Sequence, residues 1–301
     1  MSKISVVIVT FNRIECLKRV LDSVRNQTVK VDPVIVVNNG STDGTREWLE
    51  EQEGIYVIHQ DNVGGSGGFY RGIQEALKFK NEWIWCMDDD VYPHSDCLEN
   101  LLRFNKTDVG ILCPKRIQNG KVFVSEYKKL NLSNPFKRLH LAPLSVSDTY
   151  SDMPVPIEGM VFEGPLIKRG IIEKIGLPNK NLFILYDDTD YSYRAVEAGY
   201  RVLYVPAAIM DKEYFNQNLT REQFLNKNRW KEWYHIRNTA YFCRHHGTNI
   251  FFRIFGEMYL PIHMFLAICA NLPRNKKYEN GDQWKVWKMY YRGVKGILGK
   301  M

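Results

Sequence analysis

The sequence is poor in the features that mark a secreted, cluster-binding or membrane-spanning chain. Its six cysteines, Cys16, Cys86, Cys97, Cys113, Cys243 and Cys269, are scattered and contain no C-x-x-C pair. Neither a zinc site nor a disulfide framework is therefore indicated. Reduced, mostly packed thiols are expected, which suits a reducing cytoplasm. No secretory leader is expected either, because Met1-Ser2-Lys3 runs into a short apolar segment at 4–9 without a small-residue cleavage site. Nor is there a clean membrane span: the best stretch, 250–272, is interrupted by Arg253, Glu257, Pro261 and His263. Repeats and low-complexity runs are missing, as are G-x-G-x-x-G and the Walker loop, so the familiar phosphate motifs are excluded.

What remains is an ordinary folded composition over 301 residues, 45% hydrophobic and 25% charged, enough for one large domain with an appendage. The net charge of +7 is unevenly spread. Residues 229–301 hold 13 Lys/Arg against 4 Asp/Glu, or +9, whereas 1–228 carry −2. The basic character belongs to a C-terminal region.

The first hundred residues alternate short apolar runs with helical patterns, as a parallel sheet with crossover helices requires. Strands are expected at 4–9, 34–37, 56–58 and 83–87. Helices are expected through Leu17 and Leu21, through Trp48, and around Ile73, the last preceded by a glycine-rich loop. Beyond a strand at 109–112, residues 114–157 read as an excursion or small hairpin region. Order returns at 160–162, with a helix over 168–175, a strand at 183–186, a helix from Asp187 to Gly199, and a last strand at 201–205 closed by Pro206. A domain boundary is placed at 228, separating an α/β domain (1–228) from a helical, aromatic and basic region (229–301).

In an open α/β sheet, ligands sit at the carboxyl ends of the strands. Three small, polar loops follow strands there: residues 10–13, 38–45 and 61–68. Turn and cap chemistry accounts for part of each, since Asn12, Asp43 and Ser66 are good helix starters. A nucleotide also needs such loops, because only backbone and short side chains let it approach closely. The candidates are Thr10, Asn12, Arg13, Asn39, Asp43, Asn62, Gly64 and Gly65.

Asp88-Asp89-Asp90 is the sharpest signal. Three adjacent carboxylates after an apolar strand raise one another's pKa. A hard divalent cation, Mn²⁺ or Mg²⁺, relieves that cost and would neutralise a diphosphate leaving group. A solvated acidic turn, or a cap for the helix near 95–104, is the plainer alternative. The second cluster, Asp187-Asp188-Thr189-Asp190, can be read as acidic residues at a helix N-terminus. It can equally supply a general base that deprotonates a hydroxyl.

Taken in order, Thr10–Arg13, Asn38–Thr45, Asn62–Gly68, Asp88–Asp90 and 186–191 resemble glycosyltransferase family 2, and are most similar to its bacterial galactofuranosyltransferase branch. The resemblance covers residues 4 to about 211, with Tyr234-His235-Ile236-Arg237-Asn238 as a further element. It implies a GT-A fold (a Rossmann-like mixed sheet), a UDP-sugar donor, bound Mn²⁺ or Mg²⁺, and inversion at the anomeric carbon. Carried over, Thr10, Asn12, Arg13 and Asn39 lie along the uridine, and Asp88 and Asp90 serve donor and metal with Asp89 between them. Asp188 becomes the base, and Asp187 an acceptor-binding neighbour. One departure stands out. A metal-binding His is expected where Ile209-Met210-Asp211 stands, so Asp211 is the expected replacement ligand.

The expected activity is transfer of galactofuranose from its UDP donor to a hydroxyl of a lipid-linked surface glycan. The same chemistry with rhamnose or glucose, or nucleotide-sugar binding without catalysis, are the alternatives. In the basic tail, Trp230, Trp233, Tyr234, Trp284, Trp287, Tyr290 and Tyr291 interleave with Lys and Arg. They suit either a helical bundle or docking on an anionic membrane surface, which would place a cytoplasmic protein at the inner face of the membrane. Nucleic acid is not an expected partner, since no recognised module occurs.

Overall fold

A computed structural model describes residues 3–215, 218–271 and 278–301. The chain forms two compact units. The first comprises Met1–Lys128, Ala142–Lys180 and Asp187–Tyr214, and the second Lys129–Leu141, Asn181–Tyr186 and Phe215–Met301.

The first unit is built on a mixed sheet. Strands β1 (Ile4–Thr10), β2 (Val34–Asn38) and β3 (Ile55–His59) run parallel, separated by helices α1 (Ile14–Arg25) and α2 (Thr45–Glu50). Helix α3 (Gly64–Ala76) returns the chain to β4 (Trp83–Asp88), parallel to β1 on its other side. Short β5 (Val91–Pro93) and α4 (Cys97–Leu102) lead to β6 (Val109–Gln118) and β7 (Lys121–Phe123), an antiparallel pair. Strands β8 (Tyr127–Leu130) and β9 (His140–Pro143) form a separate two-stranded sheet. After β10 (Val155–Ile157), strand β11 (Leu166–Lys168) inserts antiparallel between β4 and β6. Helices α5 (Arg169–Ile175) and α6 (Asp187–Glu197) precede the long β12 (Arg201–Lys212), parallel to β6.

Strand periodicity divides the core between the two faces of the sheet. Val6 and Ile8 of β1 pack with Leu17, Leu21, Leu98 and Leu101 on one face. Val7 and Val9 pack with Phe69, Ile73, Ile171 and Tyr191 on the other. Both faces are covered, which is why β1 and β2 read as continuous β-branched runs.

Three expectations change here. The glycine-rich segment after β3 is the first turns of α3, not a loop. A Cβ on Gly68 would stand 2.5 Å from the Val9 side chain, and one on Gly72 closer still to Val7, so the glycines let this helix lie directly on the sheet. The last strand continues past Pro206 to Lys212, because residues 206–208 form a bulge between Val205 and Ile209 that absorbs the proline. The strand expected at 183–186 does not form: Phe183, Leu185 and Tyr186 have φ of 70°, 68° and 69°.

That left-handed run belongs to the second unit, which holds it in place. Asn238 Nδ2 donates to the carbonyls of Leu182, Ile184 and Leu185 at 2.8–3.1 Å, and Arg237 Nη2 to Leu182 at 2.9 Å. Bulky residues at positive φ persist only when their surroundings over-determine them. Both side chains lie on α7 (Arg221–His246), which opens with a capping box between Thr220 and Gln223. The boundary read at 228 therefore falls inside this helix, and the C-terminal segment of the second unit begins at Phe215. Helices α8 (Ile250–Phe255), α9 (Tyr259–Asn271) and α10 (Asp282–Val294) follow, and α7, α9 and α10 share a core of Trp233, Ile236, Ile268, Val286 and Met289.

Among the described residues, Ile250–Ala270 is long and apolar enough to cross a bilayer, with mean hydropathy 1.3, and only 17% of the stretch is buried. A turn at 256–258 divides it into α8 and α9. There Glu257 takes φ 55°, and its carboxylate accepts the Leu139 N–H.

Candidate functional site

All the candidate residues of the site fall in the first unit. The strand registers align Thr10 with Asn38, Asn38 with His59, and Val9 with Asp88. Four strands therefore end along one edge of the sheet, and the polar loops and Asp88–Asp90 leave from it.

The loops are tied to each other as much as they are open to a ligand. Asn12 Oδ1 accepts the Thr42 N–H at 2.7 Å, and Ser41 Oγ accepts the Asn12 N–H at 3.0 Å. Asp43 accepts from the N–H of Ile14 at 3.1 Å and from the Thr45 hydroxyl at 2.5 Å, so it caps α1 from a neighbouring loop. Burial would raise its carboxyl, but the bonds from the Thr45 hydroxyl and from the N–H groups of Ile14, Thr45 and Asp43 itself hold it below the usual range. Asn39 is buried; its Nδ2 donates to the Gly64 carbonyl, while Oδ1 accepts from Gln60 and Val63. Asn62 Oδ1 accepts the Gly64 N–H at 3.0 Å. Gly65 has open space where a side chain would be.

Asp89 ties this edge to the acidic cluster. Its carboxylate accepts from the Thr10 hydroxyl at 2.8 Å, the Phe11 N–H at 3.2 Å and Arg13 Nη1 at 2.9 Å. Arg13 also reaches Asp90 at 3.0 Å.

Asp88 and Asp90 meet a partner that the sequence did not advertise. One oxygen each from Asp88, Asp90 and Glu163 lies within 4.8 Å of the others, a spacing a single ion can bridge. Glu163 replaces Asp211 in this arrangement. Successive strand residues point to opposite faces. Lys212 reaches the cluster, donating to Asp90 and Glu163, and Asp211 faces the other way to pair with His94 at 3.1 Å, more than half exposed. Fully buried Arg116 closes the group, bridging Glu126 and Glu163. Removing Arg116 would leave two carboxylates without it, a loss of about 3–5 kcal/mol for a broken buried pair.

The residues fit a divalent ion. Desolvation, then the charges of Asp90, Glu163 and Asp89, push the Asp88 carboxyl well above its ordinary range, and Lys212 only partly opposes them. No described residue donates a hydrogen bond to it. Burial would also raise Glu163, but Arg116 and Lys212 more than reverse that and keep it ionised. Fully ionised, Asp88, Asp89, Asp90, Glu126 and Glu163 face Arg13, Arg116 and Lys212. Five carboxylates against three cations leave two negative charges, those one divalent ion would cancel.

The second cluster opens α6. Asp190 pairs with Arg194 one turn on, at 3.0 Å. Asp188 accepts the Thr189 N–H at 2.6 Å. Among the described residues no cation pairs with Asp187 or Asp188. Burial raises both carboxyls, and the Asp187 charge adds to the rise at Asp188. Glu163 raises Asp88 and Asp188 alike, which puts both acidic clusters within electrostatic reach of one residue.

Glu163, Arg116 and Lys212 were missed in the sequence. The available signals were a lone Glu between Phe162 and Gly164 in an apolar stretch, and a Lys beside the Asp already singled out.

The same chain resembles known proteins. Galactofuranosyltransferase GlfT1 of Mycolicibacterium smegmatis is 30% identical over 196 residues, covering 64% of this chain and 65% of the relative. The low-salt glycan biosynthesis hexosyltransferase Agl10 of Haloferax volcanii is 23% identical over 195 residues, 64% of this chain and 61% of its own. The chain thus spans somewhat under two thirds of the length of these relatives. Among solved structures, S. aureus TarS 1-349 superposes with TM-score 0.58 at 18% identity, covering 97% of this chain and 81% of that one. Mannosyltransferase PcManGT from Pyrobaculum calidifontis, in complex with GDP-Man and Mn²⁺, gives 0.56 at 15%, covering 98% and 86%. The shared architecture is the GT-A fold. The family model for glycosyl transferase family 2 matches residues 5–161, more than half of the sequence, and the chain belongs to that family.

Proposed function

We propose that the protein is an inverting glycosyltransferase that moves galactofuranose from UDP-galactofuranose to a hydroxyl of a lipid-linked surface glycan. The observation that carries this reading is the presence of two unlike acidic clusters: Asp88, Asp90 and Glu163, spaced for one ion and partly offset by Arg13, Arg116 and Lys212, and Asp187 with Asp188, to which no described cation pairs. Kinship with galactofuranosyltransferase GlfT1 supports the donor.

Asp88, Asp90 and Glu163 would hold Mn²⁺ or Mg²⁺. Bound there, the ion would supply charge neutralisation for a diphosphate leaving group. Thr10, Asn12, Arg13, Asn39, Asp43, Asn62, Gly64 and Gly65 form the nucleotide edge, with Asn39, Asp43 and Asp89 fixing the loops that touch it. Asp188 takes the proton of the acceptor hydroxyl. Asp187 lies beside it on the acceptor side. The hydroxyl oxygen attacks the anomeric carbon as the carbon–phosphate oxygen bond breaks, and UDP departs with the bonding pair. The hydroxyl approaches opposite to the leaving group, so the configuration inverts.

The acceptor's lipid would keep it at the inner face of the membrane. Exposed Phe251, Phe255, Tyr259, Ile262 and Leu266, with the +9 charge of 229–301, support peripheral docking of a cytoplasmic protein there.

Thermal-shift measurement with UDP, dTDP and GDP sugars plus Mn²⁺ tests the donor, since a ligand selective for the native state raises the melting temperature. UDP-galactofuranose should give the largest shift and be turned over when acceptor is supplied. A larger shift with a dTDP or GDP sugar would reassign the donor. Binding without transfer or hydrolysis would leave a nucleotide-sugar-binding protein.

A further inference from the structure

Lys212 already occupies oxygens that a divalent ion would need. Its Nζ lies 3.3 Å from Asp90 Oδ1 and 2.7 Å from Glu163 Oε1, with its side chain 11% exposed. The remaining oxygens are also engaged: Asp90 Oδ2 holds Arg13, and Glu163 Oε2 holds Arg116. Of the three candidate ligands, only Asp88 lacks a cationic ion-pair partner among the described residues. An ion seated on all three therefore competes with a resident cation for at least one of these oxygens.

The three cations differ in how readily they could yield. Arg116 is fully buried and bridges Glu126 and Glu163 with a rigid fork. Arg13 ties Asp89 to Asp90 and so holds the Thr10 loop as well. Lys212 is a point charge on a flexible stem at the last residue of β12, and both of its carboxylate partners belong to the candidate metal set.

We propose that a divalent ion displaces the Lys212 ammonium from Asp90 and Glu163, and that Lys212 then serves as a ligand of the donor's diphosphate. This rests on the metal-dependent reading above. Metal alone must break two ion pairs and leave a largely buried ammonium without an anion, which is costly. A diphosphate provides that anion. Metal and diphosphate should thus bind as a coupled pair, each weaker alone, and the coupling must be reciprocal. Lys212 is a positioning and binding residue here, and takes no proton.

The test is calorimetric titration of the full chain with Mn²⁺, with and without saturating UDP, and with UDP in saturating Mn²⁺, comparing wild type with Lys212→Met. The variant should bind Mn²⁺ alone about tenfold more tightly, and UDP in the presence of Mn²⁺ about tenfold more weakly, within the usual range of coupling. The opposite signs are the signature. Unchanged Mn²⁺ affinity would overturn the displacement. Tighter Mn²⁺ binding with unchanged UDP affinity would make Lys212 a resident counter-ion only, and would also overturn the proposal. Failure of the wild type to bind Mn²⁺ with or without UDP would remove the metal reading along with it. Should the methionine variant melt too early to titrate, Lys212→Gln keeps a polar end near both carboxylates and carries the same expectations.

Discussion

The two acidic clusters share a composition and differ in their company. Around Asp88–Asp90, cations arrive from three directions: Arg13 from the loop after β1, Arg116 from β6 and Lys212 from the end of β12. At the start of α6, Asp190 has Arg194, while Asp187 and Asp188 are desolvated with no described cation paired to them. Glu163, held between Arg116 and Lys212, is kept ionised, whereas Asp88, with no cation paired to it among the described residues, is raised by burial and by its acidic neighbours. Carboxylates raised by burial and by each other gain affinity for a proton. One sequence type thus meets two electrostatic environments, chosen by what packs around it.

The strongest way to break this contrast is at the second cluster. Asp188→Asn preserves shape and hydrogen bonding but cannot take a proton. Turnover should fall by about a hundredfold or more with donor affinity little changed, as steady-state kinetics beside UDP-sugar titration would show. A matching loss of donor affinity would move Asp188 to the donor side.

The first cluster offers a sharper internal comparison. Glu163→Gln should weaken Mn²⁺ binding by about tenfold or more, the loss typical of a disturbed metal shell. Asp211→Ala should alter it by less than about twofold, since that carboxylate faces away and pairs with His94. Titration of both variants with Mn²⁺ decides which acid completes the set, and a reversed ranking would restore Asp211.

The smallest effect concerns stability. A carboxyl whose pKa is raised on folding favours the native state most when protonated, below its unfolded value near 4. That contribution is lost as pH rises through the raised native pKa. Ionised Asp188 is therefore a cost at pH 8, and Asp188→Asn should raise the melting temperature there by a few degrees, with the gain fading toward pH 4. Melting curves across this range provide the check. A gain that is constant with pH would argue against a strained, uncompensated base.

Much of this was legible beforehand because it is local. Parallel strands with both faces covered must be continuously apolar, so β1, β2 and β4 could be read directly. Asp88–Asp90 and Asp187–Asp190 are unusual as written. Where local signals mislead, a tertiary cause is visible. Gly64–Gly68 looks like a loop because glycine disfavours helix, yet in α3 the small size of Gly68, and of Gly72 one turn on, lets the helix lie against Val9 and Val7. Residues 183–186 look like a strand until Asn238 and Arg237 gather their carbonyls into a left-handed run. The boundary at 228 followed composition, whereas the Thr220–Gln223 capping box starts the helix earlier.

By itself, then, the sequence determined the family, the sheet edge where the loops converge, and the two acidic clusters, since each is carried by contiguous residues. Only the tertiary structure decided which carboxylates act together. Glu163 enters the first cluster from the turn before β11, and Arg116 from β6. Lys212 enters, and Asp211 does not, because the bulge at 206–208 sets the alternation of the strand that follows. Charge compensation depends on distances between segments far apart in the chain, and strand parity past a bulge depends on the register of its partner. Neither quantity is written in any one stretch of sequence.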